Sequence, residues 1–63
     1  MEYIIYELEN ENVYLESHTG TTYTTTENIT AAEVFNNETS ALAVIAILPQ
    51  GDSFWGTRPK RPH

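Results

Sequence analysis

Along the chain the apolar positions fall in three kinds of run. The first, "YIIYELENENVYLES" (Tyr3 to Ser17), sets two β-prone stretches either side of the polar segment Glu9-Asn10-Glu11-Asn12 and reads as a β-hairpin. A two- or four-residue loop there pairs Leu8 with Val13, Tyr6 with Leu15 and Ile4 with Ser17. Because side chains alternate along a strand, that register puts Ile4, Tyr6, Leu8, Val13 and Leu15 on a core face. Tyr3, Ile5, Glu7, Tyr14 and Glu16 then share the exposed face. After Gly20, the run of β-branched residues around Tyr23 ("TTYTTT", Thr21 to Thr26) suits a third, exposed strand at an edge, and its low complexity equally suits a loosely structured segment.

The second kind of run is helical. "ITAAEV" carries a capping box, with Thr30 at the N-cap and Glu33 three residues on, and a hydrophobic staple between Ile29 and Val34. Asn37 before "ETSALAVIAIL" is a second N-cap, with Glu38 favourable in the first turn. Ala41, Leu42, Ile45 and Leu48 form a helical stripe, and Pro49-Gln50-Gly51 ends it. The eight uninterrupted apolar residues from Ala41 to Leu48 equally suit a buried strand; the alanines favour helix, over about Glu38 to Leu48.

The third run, "DSFWGT", suggests a last short strand or ordered arm anchored by Phe54 and Trp55, after which Pro59 and Pro62 keep the chain extended. Together these elements predict an α+β fold: a small antiparallel sheet, made of the N-terminal hairpin plus one or two short strands, packed on one principal helix. The domain is expected over 1–56, with 57–63 as an extended basic tail.

In order, the hairpin, the "YT" segment, the "A..F" step and the Ala-rich helix resemble small phage and prophage proteins of Gram-positive bacteria. The matching positions are Tyr3, Tyr14, Leu15, Tyr23, Thr24, Ala32, Phe35, Asn37, Ala41, Ile45 and Ala46. They cover about the first 48 residues, and as core and turn positions they transfer a fold and a setting rather than a catalytic site. The resemblance implies a non-enzymatic inhibitor of a host defence or repair enzyme acting on nucleic acid, of the anti-CRISPR or anti-restriction kind, working in the host cytoplasm.

Charge sharpens this picture. All nine acidic residues precede Gly56, and all three Lys and Arg residues, Arg58, Lys60 and Arg61, follow it. A body of this sign favours a host protein with a basic surface as partner and disfavours direct contact with nucleic acid, whose phosphates call for Lys and Arg. The expected binding residues are Tyr3, Glu7, Tyr14 and Glu16 on the exposed hairpin face, with Trp55 either plugging the core or serving as an anchor. The tail cations Arg58, Lys60 and Arg61 are placed to reach an acidic partner, the protein's own body or a second copy. Self-association through a sheet edge and Trp55, giving a homo-oligomer with a structural or assembly role, is the alternative reading.

Catalysis has little to work with. The chain has no cysteine and two histidines, so thiolate chemistry is excluded and a metal site is not expected. His18, between Ser17 and Thr19, reads as a surface turn histidine, and the three glycines are isolated, so no phosphate-binding loop exists. No cofactor is expected. The N-terminal residues lack the features of a signal peptide, and no apolar run reaches membrane-spanning length, which points to a soluble, cytosolic protein with no membrane partner.

Overall fold

A computed structural model describes residues 1–60. Four antiparallel strands and one helix account for most of it: β1 (Tyr3–Glu7), β2 (Asn10–Thr19), β3 (Thr22–Thr26), α1 (Glu38–Ile47) and β4 (Trp55–Pro59), with short 3-10 turns at Ile29–Ala31 and Gly51–Ser53. The strand order is β3-β2-β1-β4. This is the expected α+β architecture, with the threonine-rich strand at one edge.

The hairpin register differs from the expected one. Tyr6 lies opposite Tyr14, not Leu15, and Glu7 lies opposite Asn10, with an irregularity between them. Asn10 Oδ1 accepts the Asn12 N–H at 3.1 Å and so organises the extra residues. The slip of one position changes which side chains share a face. Ile5 and Leu15 pack with Phe35, Ala41, Ile45, Leu48 and Trp55 beneath α1, and Tyr3 packs against that group. Ile4, Tyr14 and Ala32 form a second cluster, joined by Tyr6 and Ile29. Ile4, Ile5 and Leu15 are all fully buried. The central strands thus bury both faces, and the single core side expected from alternation is corrected: Ile5 and Tyr14, placed on the exposed face, are buried, while Leu8, placed on the core face, is exposed.

Beyond Tyr14 the two hairpin strands part, and another segment joins β1. Tyr3 exchanges both backbone hydrogen bonds with Phe35, at 2.8 and 2.9 Å, and the Glu33 N–H donates to the Leu15 carbonyl at 2.9 Å. A bulge at Glu16, between Leu15 and Ser17, bends β2 where this happens. At the far end, Gly20 has a positive φ of 60° at the first of the two turn positions linking β2 and β3, the arrangement of a type II′ hairpin turn. The bent arm carries Tyr23 edge-on to Trp55, ring centroids 5.1 Å apart.

That contact between Glu33 and Leu15 also explains why the expected capping box does not form. Asn28 accepts from both the N–H and the hydroxyl of Thr30, at 3.0 and 2.7 Å, and caps a single 3-10 turn. With its hydroxyl engaged there and the Glu33 N–H given to β2, Thr30 cannot cap a helix. Val34 is exposed and so is not the inward half of a staple.

The second cap holds. Asn37 has extended backbone angles, and its side chain accepts the Ser40 N–H at 2.8 Å, with Glu38 favourable against the helix dipole. Ala41, Ile45 and Leu48 face the core, while Leu42 lies outside. Asn37→Ala should cost about 1 kcal/mol, read as a lower urea midpoint with an unchanged slope. No change would mean that the packed face alone fixes the start of α1.

The expected boundary at Gly56 is corrected by β4. Thr57, Arg58 and Pro59 pair with Ile5, Ile4 and Tyr3, and the Lys60 N–H donates to the Glu2 carbonyl at 2.7 Å. A proline fits at this edge because Tyr3, its partner, turns its own N–H and C=O toward Phe35. Gly56 itself leaves room for two side chains: a Cβ there would stand 2.8 Å from Leu8 Cδ2 and 3.0 Å from Tyr6 Cζ, so both would have to shift to admit a larger residue. The part of the expected tail comprising Arg61 and the two residues after it lies outside the described residues.

Candidate binding surfaces

The residues expected on one aromatic and acidic face are dispersed. Tyr14 is buried with Ile4 and Ala32, whereas Trp55 is buried in the α1-side core and Tyr3 packs against that core. Trp55 makes its own case for a structural role, since its Nε1 donates to the Pro49 carbonyl at 3.1 Å and Phe54 packs edge-on against it at 4.8 Å. Neither Trp55 nor Tyr14 offers its ring to a partner. Glu7 is half-buried in β1 and Glu16 is exposed at the bulge of β2, so these two carboxylates do not frame a common aromatic patch.

Two other arrangements take shape. At the β1–β2 turn, Glu7, Glu9 and Glu11 alternate along five residues around Leu8, which is 44% exposed. Across the sheet, Arg58 lies over the rings of Tyr6 and Tyr14, with Cζ 4.9 and 5.6 Å from the two centroids. Its Nη2 donates to the Tyr14 hydroxyl at 3.2 Å and points toward the Glu11 carbonyl at 3.5 Å. A guanidinium suits this seat because it stacks on aromatic faces and still presents donors at its edge. Arg58 is therefore part of the fold, closing the second cluster, and not a free tail cation. The alternation of Trp55 and Thr57 was the sequence signal for a strand reaching this far; the flanking prolines obscured it.

His18 lies within β2 and not in a turn. Its Nδ1–H donates to Glu33 Oε1 at 2.9 Å, both side chains being mostly shielded, and this contact fastens the 33–35 segment to the strand it borders. Ser17 and Thr24 share a 2.7 Å hydroxyl contact. Ser17, His18, Thr19, Thr22, Tyr23 and Thr24 line a shallow recess of about 150 Å3, well below the size of pockets that enclose small-molecule ligands. Among the described residues no three His, Asp or Glu side chains converge as a metal site. No described helix is long and apolar enough to cross a membrane. Comparison with known proteins found no matching family model, no matching curated protein and no matching solved structure.

Proposed function

We propose that this protein is a small, non-catalytic, anionic binding protein that docks on a basic protein surface and inhibits the protein it covers. The observation that carries this reading is the segregation of charge. Nine carboxylates lie on the body, while Arg58, the first of the cations, spends its charge on the rings of Tyr6 and Tyr14. Surfaces built to hold phosphates are the natural complement of such a body, which makes a nucleic-acid-processing enzyme of a host cell the favoured target, as for the phage-encoded inhibitors that the sequence resembles. Electrostatic complementarity of this kind governs association rate and partner choice.

The acidic turn supplies the centre of the contact. Glu7 and Glu9 flank the exposed Leu8 in sequence, Glu11 follows at the start of β2, and Glu16 adds a further carboxylate along that strand.

Capture from host lysate at low and then raised salt tests the proposal, with the captured protein identified and titrated. Joint substitution of Glu7, Glu9, Glu11 and Glu16 by lysine should weaken binding at least a hundredfold at low salt, as several unfavourable charge contacts replace favourable ones. Affinity unchanged by the reversal, or by salt, would overturn the acidic contact.

A further inference from the structure

We infer that β3 is a self-association edge: two copies of the chain pair antiparallel along Thr22–Thr26 about a twofold axis at Thr24, joining their sheets into one. The two edges of this sheet are unlike. The β4 edge ends in Pro59, beside Arg58 and Lys60, the proline and cations that commonly protect strand edges from pairing. The β3 edge has neither proline nor charge. From Thr19 to Thr26 there is no Asp, Glu, Lys, Arg or His, and Thr22, Tyr23, Thr24 and Thr25 are all exposed. In a protein of net charge −6, an uncharged strand is where a second copy can approach most closely.

Register supports the same occupant. Thr19 and Thr22 flank the two-residue turn and so form a hydrogen-bonded pair. Alternation then directs the backbone groups of Thr22, Thr24 and Thr26 toward β2 and those of Tyr23 and Thr25 toward the open side. Pairing about Thr24 sets Tyr23 against Thr25 of the second copy, where each exchanges its N–H and C=O. It sets Thr24 against Thr24 and Thr22 against Thr26. Thr–Thr and aromatic–β-branched pairs are favourable across antiparallel strands. Glu27 falls opposite Thr21, whereas parallel pairing would stack Glu27 on Glu27.

The absence of native cysteine makes the register directly readable. A Thr24→Cys variant places one thiol on the twofold axis, at a separation suited to a disulfide. A Thr22→Cys variant faces Thr26 of the other copy and has no thiol opposite. Under mild oxidation the first should form covalent dimer at least about ten times faster than the second. Thr25→Pro removes an outward N–H from each copy and no bond to β2, so sedimentation equilibrium should show association weakened about thirtyfold, the worth of two hydrogen bonds. Dimerisation should strengthen with salt as repulsion between anionic copies is screened, opposite to the salt response of the heterologous contact, so either reading can fail alone. A wild-type chain that is monomeric at millimolar concentration would overturn the inference. So would equal cross-linking by the two cysteine variants, or association abolished by Leu42→Glu on the outer face of α1 and untouched by Thr25→Pro. If Thr25→Pro loses its folded circular dichroism, the cysteine pair decides.

Discussion

Trp55→Ala is expected to leave the chain largely unfolded at room temperature. The side chain is 1% exposed, and truncating a buried tryptophan costs about 3–5 kcal/mol through lost transfer energy and the cavity left behind. A domain of 63 residues has a total stability of only about 3–9 kcal/mol. The truncation also deprives the Pro49 carbonyl of its donor and removes edge-on partners from Tyr23 and Phe54, so the bent β2–β3 arm loses its hold on the core. Trp55→Phe separates these contributions, keeping an aromatic ring while deleting the Nε1 bond, and should cost about 1–3 kcal/mol. Because this is the only tryptophan, far-ultraviolet circular dichroism during urea titration is the suitable measurement. A cooperative transition with an unshifted midpoint in Trp55→Ala would refute a central role for this side chain in the core. An exposed anchor would behave that way, folding normally and losing only a partner.

What could be read from the sequence divides along a physical line between local and non-local determinants. The cap at Asn37 depends on an amide oxygen and a backbone N–H three residues away, and no other described residue competes for either. It was legible, as was the start of α1 that it fixes. Thr30 and Glu33 make an equally good local pattern, yet the Glu33 N–H is taken by Leu15 and its carboxylate by His18, partners brought near only by the folded sheet. The hairpin was visible in its composition, but its register was not. Consecutive buried residues at Ile4-Ile5 and Tyr14-Leu15 satisfy either face assignment, and the irregularity beside Tyr6 decided which applied. The same two-sided burial removed Tyr14 from the candidate surface. Trp55 was recognisable as a large anchor; only packing could assign it inward. The acidic turn is local in sequence, yet Glu9 and Glu11 read only as a polar loop there, because the expected register set Glu7 on a face with Glu16 instead.

The cationic end of the chain is where a sequence reading and the fold disagree most, and shortening the protein at Gly56 gives them opposite outcomes. A solvated tail could be removed without effect. The structure predicts instead that the shortened chain loses its cooperative unfolding transition. Removing Thr57 and the residues after it takes the ladder partners from Ile5, Ile4 and Tyr3 and the Thr57 hydroxyl bond to the Ile4 carbonyl at 3.0 Å. It also takes the Lys60 bond to Glu2 and lifts the guanidinium from Tyr6 and Tyr14. At about 1 kcal/mol for each net hydrogen bond and 0.5–2 kcal/mol for a cation over aromatic rings, the loss is roughly 4–6 kcal/mol, comparable to the whole stability of such a domain. Fully buried Ile4 would then line an open edge, so aggregation should accompany unfolding. Arg58→Ala in the full-length chain isolates the side-chain part and should cost about 1–2 kcal/mol; Arg58→Lys should recover only a fraction, because an ammonium cannot stack and donate at once. Salt separates charge from structure. If the truncation acted only by stripping positive charge from an acidic body, added salt would restore the transition by screening repulsion. Failure of salt to rescue it, with a normal transition in a chain ending at Lys60, assigns the effect to β4 itself; a shortened chain that melts like the full one would return these residues to the role of a tail.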